Sequence, residues 1–198
     1  AGYRTPHGVE FNPEKARALL AEAGFPGGEG FPRLELMTTS REVQKTMAEA
    51  IQGMWKKHLG IHVEIRSCEW TAYKFAQNSM QYDLSSSSWS GDYLDPSSFL
   101  DLWSAASGNN NTGWFHPEYE RLLAESRATG DQEKRMALLA RAEALMLSES
   151  PVIPLYWARR SYLKRPEVRG WHPLLLDNHL FEDISLCAPR ARGKGGRQ

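Results

Sequence analysis

The residues best suited to chemistry lie in one short stretch, SSSSWSGDYLDPSSF, which runs from Ser85 to Phe99. Two carboxylates, Asp92 and Asp95, stand three residues apart within it. A pair of carboxyl groups could serve as general acid and general base in a hydrolase, as it does in glycosidases. Aspartate beside glycine or proline also forms turns, because its side chain hydrogen-bonds the neighbouring backbone. The stretch is therefore a surface turn, a hydrolytic site or a place where a ligand is held.

Other sequence patterns typical of catalysis or metal binding are missing. The chain has no G-x-S-x-G, no H-E-x-x-H and no glycine-rich phosphate loop with its lysine. Its six histidines lack the spacing of metal ligands. The two cysteines, Cys68 and Cys187, form no C-x-x-C pair, which excludes a zinc ribbon and thioredoxin-type chemistry. We therefore predict that the chain is not an enzyme and that it carries no metal and no other cofactor.

Composition places the chain among ordinary globular domains and limits its partners. It has 198 residues, of which 41% are hydrophobic and 24% are charged, a balance typical of a folded domain. Its 24 basic and 24 acidic residues give a formal net charge of zero, which argues against a nucleic-acid-binding protein. No apolar run approaches the roughly 20 residues that span a bilayer. The basic end, residues 187–198, is predicted to be a disordered tail.

The segments before the serine run predict a strand–helix–strand unit. The stretch RLELMT is typical of a strand with Leu34 and Leu36 on one face. Residues 42–59 repeat apolar side chains at helical spacing, and Gly60 ends the pattern. The stretch IHVEIR then alternates apolar and polar residues, as a half-buried strand does. Two strands joined by so long a crossover pair in parallel, which predicts an α/β fold. The predicted apolar face of the helix consists of Val43, Met47, Ala50, Ile51, Met54, Trp55 and Leu59.

Further helices are predicted on either side of this unit. One begins at Pro13, because proline suits the first helical position. A short helix over Trp70–Asn78 and a short strand in YDLSS follow the second strand. Beyond the odd stretch, one helix begins at Pro117 and another is capped by Asp131. The apolar stretch PVIPLYW is confined by Pro154 to an edge or irregular strand.

Four segments, in this order, resemble motifs of one known family. They are FNPEKARALLAEAGF, MAEAIQGMWKKHLGIHVEI, WSGDYLDPSSFL and AEALMLSESPVIPLYW. The third is similar to the family pattern W-x-x-D-Y-x-D-P-x-x-F-L, and the fourth to A-E-x-x-L-x-x-x-x-P-x-x-P-L-Y. Through these segments residues 9–186 resemble the C-terminal lobe of the family 5 extracellular solute-binding proteins. Members of this family are the dipeptide and oligopeptide receptors of ABC importers.

The resemblance implies a particular architecture and set of partners. The fold would be α/β, one lobe of a type II periplasmic-binding-protein-like clamshell, with a mixed sheet flanked by helices. Residues 1–165 would form the C-terminal ligand-binding lobe and residues 166–186 a return segment toward an N-terminal lobe. That lobe and a signal peptide would lie upstream of this chain. The implied partners are a short peptide or related solute, the N-terminal lobe and the permease subunits of the importer, without nucleic acid.

The resemblance also implies where the protein works and how it binds. The location would be the periplasm or the extracellular face, where a lipid anchor remains an open alternative. Two lobes would close on the ligand, and both would have to touch it at once. We therefore expect this chain alone to bind a ligand weakly or not at all.

Particular residues are implied as ligand contacts. Asp92 stands where peptide-binding relatives have an aspartate that meets the ligand's α-ammonium, a charge-assisted contact that would offset its desolvation. Trp89 and Trp70 stand where relatives have tryptophans that face the cleft. The implied ligand-binding set is Asp92, Trp89, Trp70, Ser90, Gly91, Tyr93 and Arg41. From the residue types alone, both tryptophans are expected in the core and Asp92 in a turn.

The chain departs from the family pattern in one respect. Some oligopeptide relatives carry basic residues, which meet the ligand's carboxylate, in the segment aligned with residues 76–86. Here that segment, AQNSMQYDLSS, has neither lysine nor arginine, and Arg41 is the nearest candidate. Other members of the family bind nickel complexes, haem, sugars or opines, so the ligand class stays open. Two alternatives to a receptor also stay open: a hydrolase that uses Asp92 and Asp95, and an interaction domain without a small ligand.

Overall fold

The computed structural model describes residues 2–159, 161–174 and 176–187. These residues form two units. The first unit contains the described residues up to Trp89 together with Asp95–Ile153, and the second contains Ser90–Leu94 together with the described residues from Pro154 onwards. The predicted disordered tail, apart from Cys187, lies outside the described residues. The predicted division of the chain at residue 165 stays a prediction.

A three-stranded parallel sheet forms the first half of the first unit. In chain order its elements are helix α1 (Pro13–Glu22), strand β1 (Leu34–Thr39), helix α2 (Glu42–Leu59), strand β2 (Val63–Cys68), helix α3 (Trp70–Asn78) and strand β3 (Leu84–Ser85). The strands lie in the order β2-β1-β3, and β1 pairs in parallel with both neighbours. The parallel strand–helix–strand unit predicted from the alternating patterns is therefore confirmed.

Strand β1 is buried on both faces, as expected of the central strand of a parallel sheet. Leu36 faces α2, and Met37, the next residue, faces α3 on the opposite side. The two buried clusters consist of Leu36, Ala48, Ile51 and Val63 on one face and of Met37, Tyr73 and Ala76 on the other. The sheet is therefore held between two helices, α2 on one face and α3 on the other.

Helix α2 extends past the strands that it covers. It has 18 residues and is about 27 Å long, whereas β1 has six residues and is about 20 Å long. The predicted apolar face is wrong for Val43, Ala50 and Met54, which are exposed, Val43 by 72% and Met54 by 47%. Val43 lies in the first turn of the helix, beyond the part that covers the sheet through Ala48 and Ile51.

Helices form the second half of the first unit. They are α4 (Ser97–Leu100), α5 (Pro117–Ala128) and α6 (Gln132–Glu149). Pro117 is the first residue of α5, and the Asp131 side chain accepts hydrogen bonds from two backbone amides of α6, so both predicted helix starts are confirmed. The Tyr119 hydroxyl donates to the Leu100 carbonyl oxygen at 2.7 Å and ties α5 to α4. The buried core of this half contains Leu100, Tyr119, Leu122, Leu123, Met136, Leu138, Leu139, Ala142 and Met146.

The second unit contains an antiparallel pair of short strands. These are β4 (Val168–Arg169) and β5 (Ser185–Leu186). The edge or irregular strand predicted for PVIPLYW is wrong, because residues 151–159 form no strand; Pro151 and Pro154 both lack the backbone N–H that a strand would donate. The predicted α/β class is confirmed. In place of the one mixed sheet that was predicted, the described residues form two separate sheets. The three-stranded sheet is parallel throughout, and the antiparallel pair belongs to the second unit.

Residues 2–159, 161–174 and 176–187 share the following properties. None of the helices in these ranges is long and apolar enough to cross a membrane. The same ranges contain no cluster of three or more His, Cys, Asp or Glu side chains that could hold a metal ion. Cys68, which is half-buried, and Cys187, which is exposed, are both free thiols.

Candidate functional site

Three of the predicted site residues follow the carboxyl ends of the three parallel strands. Arg41 follows β1, Trp70 follows β2 and Trp89 follows β3. Parallel strands all end at the same edge of a sheet, so the fold brings these residues to one edge of the first unit. This edge is the candidate site, and it is called the carboxyl edge below.

The carboxyl edge contains the point at which the chain reverses its direction across the sheet. Helix α2 leads from β1 to β2 on one side, whereas α3 leads from β2 back past β1 to β3 on the other side. In open α/β sheets, ligands bind beyond the carboxyl ends of the strands at such a switch point. Here it lies between β1 and β3, where the Ser86 amide donates to the Met37 carbonyl oxygen at 2.9 Å.

A buried tyrosine holds the chain where it leaves β3. The Tyr73 hydroxyl donates to the Ser86 carbonyl oxygen at 2.5 Å and lies 3.1 Å from Ser85 Oγ. Gln77 Nε2 donates to the same hydroxyl at 3.1 Å, and both side chains are almost fully buried. From α2, Gln44 accepts a hydrogen bond from the Ser86 hydroxyl at 3.2 Å. Side chains from both helices therefore fix the start of the serine run.

The two candidate tryptophans are accessible from solvent. Trp70 is 56% exposed and stacks on Tyr73, with ring centroids 5.9 Å apart and an interplanar angle of 19°. Trp89 is 40% exposed, and its indole N–H donates to the Ser98 carbonyl oxygen at 3.1 Å. The expectation from residue type that both belong to the core is therefore wrong. Each ring is held at one place and offers apolar surface elsewhere, which suits contact with a ligand side chain.

Two buried threonine hydroxyls at the end of β1 add polar groups that the sequence pattern did not single out. Thr38 is fully buried, Thr39 is 9% exposed, and neither Oγ1 has a hydrogen-bond partner among the described residues. Most buried hydroxyl groups have a partner. The only sequence signal is that the strand LELMTT ends in two threonines, directly before the carboxyl edge.

The other four predicted ligand residues belong to the second unit. They are Ser90, Gly91, Asp92 and Tyr93. Ser90, Asp92 and Tyr93 are exposed, and Gly91 is half-buried. Their neighbour Trp89 in the chain belongs to the first unit. The ligand contacts implied for these four residues stay predictions.

The second carboxylate of the odd stretch, Asp95, is engaged in structural contacts. Its Oδ1 accepts hydrogen bonds from the Ser97 amide at 2.9 Å and from the Ser97 hydroxyl at 2.7 Å, which is the turn role expected from the sequence. Arg135 of α6 binds both carboxylate oxygens, at 2.7 and 2.8 Å. These hydrogen bonds from Arg135 hold the pKa of Asp95 well below its usual range. A carboxyl group kept ionised in this way is unsuited to donate a proton at neutral pH, which counts against Asp95 as the acid of a hydrolase.

Comparison with known families decides the class to which this architecture belongs. Residues 1–111 match the family model described as bacterial extracellular solute-binding proteins, family 5 middle. The chain belongs to this family. The match covers α1 to β3, both candidate tryptophans and the whole of the odd stretch, and it confirms the family that the four motifs indicated.

Relatives of this chain in the family carry names that refer to different ligands. The oligopeptide-binding protein OppA of Bacillus subtilis is 34% identical over 85% of this chain and 31% of that protein. The probable deoxycholate-binding periplasmic protein YgiS of Escherichia coli is also 34% identical, over 79% of this chain and 29% of that protein. A crystal structure of a periplasmic oligopeptide-binding protein from Borrelia burgdorferi matches with a TM-score of 0.84 at 33% identity, over 94% of this chain and 38% of that one. The chain thus spans about a third of the length of these relatives.

Replacing Tyr73 by phenylalanine tests the polar contacts that hold the carboxyl edge of the sheet. We expect Tyr73→Phe to lower the free energy of unfolding by about 1–2 kcal/mol, because the Ser86 carbonyl and the Gln77 amide lose their buried partner. Urea denaturation followed by circular dichroism measures the loss. The matched control is Tyr156→Phe, since Tyr156 is 62% exposed, and it should change stability by less than about 0.5 kcal/mol. Equal effects of the two variants would contradict the role assigned to Tyr73.

Proposed function

We propose that this chain is part of a receptor that captures a small solute outside the cytoplasm, in the periplasm or at the cell surface, for an ABC importer. The observation that carries the proposal is that Arg41, Trp70 and Trp89 follow the carboxyl ends of three neighbouring parallel strands, beside the switch point of the sheet. The family match over residues 1–111 supports it. In this proposal the protein binds its solute without turning it over.

Short peptides with a free amino terminus are the proposed ligands. The Asp92 carboxylate would bind the peptide's ammonium group through charge-assisted hydrogen bonds. The backbone at Ser90 and Gly91 would pair with an extended peptide as an added strand does. Exposed rings at Trp70 and Trp89 would accept varied side chains. The names of the OppA relatives in B. subtilis and B. burgdorferi support a peptide as the ligand class.

The proposed protein partners are the membrane permease of the importer and a second lobe of the receptor. This chain spans about a third of the length of its relatives. In a clamshell receptor the ligand is held by both lobes at once, so one lobe supplies only part of the contacts. We therefore expect weak binding by this chain alone, and a sub-micromolar affinity would contradict the need for a second lobe.

Titration of the ¹⁵N-labelled chain with di- and tripeptides tests the ligand class. The indole N–H signals of Trp70 and Trp89 are expected to shift even when affinity is weak. In Asp92→Asn, we expect affinity for peptides with a free amino terminus to fall about five- to tenfold, because an amide keeps the shape but loses the charge attraction. N-acetylated versions of the same peptides lack the ammonium group and should bind both forms of the chain equally.

The control for the loss of one negative charge in Asp92→Asn is an acidic residue elsewhere in the second unit. Glu182 is exposed in the second unit, and Glu182→Gln should leave peptide affinity unchanged. An unchanged affinity in Asp92→Asn would remove Asp92 from the proposed site. Indole shifts with deoxycholate but with no peptide would reject peptides as the ligand class. Cleavage of the added peptides, followed by mass spectrometry, would contradict binding without turnover.

A further inference from the structure

The segment Ser90–Leu94 is attached to the first unit at two fixed points. The chain leaves this unit after Trp89 and rejoins it at Asp95. Trp89 Nε1 donates to the Ser98 carbonyl oxygen at 3.1 Å, and Asp95 Oδ1 accepts from the Ser97 amide at 2.9 Å. The residues on either side of the segment are thus tied to neighbouring positions of α4. Fixing both ends of so short a segment restricts the conformations that it can adopt.

An arginine from a distant part of the chain holds the second of these points. Arg135 lies 40 residues after Asp95 in sequence and binds both of its carboxylate oxygens, at 2.7 and 2.8 Å. Each side chain of the pair is only 22% exposed. Bidentate pairs between arginine and carboxylate are strong and fix orientation as well as distance. The pair therefore connects the end of the segment to α6.

The position of Arg135 near the start of α6 makes a nearby carboxylate favourable. Arg135 is the fourth residue of the helix, near the end where the helix dipole disfavours a positive charge. A carboxylate placed there offsets that cost, and Asp95 supplies one. The next residues of the helix, Met136, Leu138 and Leu139, are buried in the core of this half of the unit. Asp95 is thus anchored through Arg135 to the helix that contributes these residues to the buried core.

We propose that the ion pair between Asp95 and Arg135 positions the segment Ser90–Leu94 for ligand binding, which makes Arg135 a positioning residue that does not itself contact the ligand. The inference rests on the proposed function only for the ligand-binding role of Asp92 and its neighbours. Arg135 lies outside all four motif segments. Its role follows from the contact with Asp95 alone.

Hydrogen exchange on the whole chain, read by mass spectrometry, tests the proposal without a ligand. Arg135→Met removes the guanidinium and keeps most of the apolar stem. We expect the amides of residues 90–98, which include the Ser97 and Ser98 amides that donate to Asp95, to exchange about tenfold faster in this variant, because local opening at this end of the segment becomes easier. Exchange in β1 and in α5 should stay unchanged. A 5-fluorotryptophan signal from Trp89, assigned with Trp89→Phe, should shift as well.

A second ion pair in the same unit provides the control. Arg127 Nη2 contacts Asp101 Oδ1 at 2.7 Å, and the two side chains are 55% and 37% exposed. Arg127→Met also removes an arginine from an ion pair, but Asp101 lies after the short helix that follows the segment. We expect this variant to leave exchange in residues 90–94 and the Trp89 signal unchanged.

Two milder variants keep the proposal testable if Arg135→Met does not fold. Asp95→Asn retains an oxygen for the Ser97 amide but loses the charge, and it should also raise exchange in residues 90–94. Arg135→Lys should fall between the parent and Arg135→Met, because one ammonium cannot bind both oxygens as a planar fork does. Unchanged exchange in the segment for Asp95→Asn would overturn the proposal. An increase of equal size throughout the chain would also overturn it, since the pair would then contribute to stability only.

Discussion

An alanine at position 60 is expected to lower the free energy of unfolding by about 2–4 kcal/mol. Gly60 ends α2 in the left-handed conformation, with φ at 72°, which costs about 1 kcal/mol or more for a residue with a side chain. A Cβ at this position would lie 2.1 Å from the Gly27 carbonyl oxygen. A Cβ at Gly28 would lie 2.7 Å from the Gly60 carbonyl carbon. The loop between α1 and β1 and the end of α2 therefore touch through backbone atoms, and neither can give way cheaply.

Replacing a glycine by alanine inside α2 should raise the free energy of unfolding, whereas the same replacement at Gly60 should lower it. Gly53 lies inside this helix, and a Cβ there would meet no atom within 4 Å. We expect Gly53→Ala to raise the free energy of unfolding by about 0.5–1 kcal/mol, because alanine loses less backbone freedom on folding. Urea denaturation of both variants against the parent gives the comparison. A Gly60→Ala chain as stable as the parent would contradict the close approach of the loop between α1 and β1 to the end of α2.

The elements of the first unit were predictable because each carries its own local signal. Residues of IHVEIR alternate between apolar and polar types, and β2 covers most of that stretch. Gly60, Pro117 and Asp131 mark helix ends with residues whose backbone preferences or side-chain acceptors are specific to those positions. The order of the strands then follows from parallel pairing with helical crossovers. The ends of a helix or strand were therefore predictable wherever they are determined by residues at or next to those ends.

Exposure of individual side chains was less predictable, because it depends on what an element covers. Val43 fits the apolar face of α2 by its spacing, yet it is 72% exposed because the helix outruns the sheet. Trp70 and Trp89 have the size and apolar character of core residues, yet each retains 40% or more of its exposure. Periodicity describes a face of one element and carries no information about the length of its neighbour. These three exposed apolar residues all lie in or next to segments that follow β1, β2 or β3, close to the candidate site.

Contacts between distant segments could not be predicted from the sequence. Arg135 and Asp95 are 40 residues apart, and nothing in the pattern around Arg135 distinguishes it from other arginines on exposed helix faces. Tyr73 and Ser86 are 13 residues apart and meet only because α3 returns past β1 to place β3 beside it. Polar partners of this kind depend on the three-dimensional arrangement of elements. Such contacts hold the candidate site in place, whereas the residues expected to meet the ligand were indicated by motif.

Truncation of one core leucine should produce a loss of stability as large as that at Gly60. Leu139 of α6 is fully buried in the cluster that includes Tyr119 and Leu123 of α5. We expect Leu139→Ala to lower the free energy of unfolding by about 3–4 kcal/mol, because the lost apolar contacts leave a cavity that helices on both sides cannot close. Leu163→Ala is the matched control, since Leu163 is fully exposed, and it should change stability by less than about 0.5 kcal/mol.

Leu139→Ala also separates general loosening of the helical core from the specific effect proposed for Arg135. Arg135 lies one helical turn before Leu139 on α6, so a weakened core should loosen the anchor of Asp95 too. We expect hydrogen exchange in Leu139→Ala to rise in α5 and α6, which share one packed core, and in residues 90–98 through the loosened anchor of Asp95. In Arg135→Met the rise should be confined to residues 90–98. A loss below about 1 kcal/mol in Leu139→Ala would contradict the packing of α5 against α6 on which the anchoring of Asp95 depends.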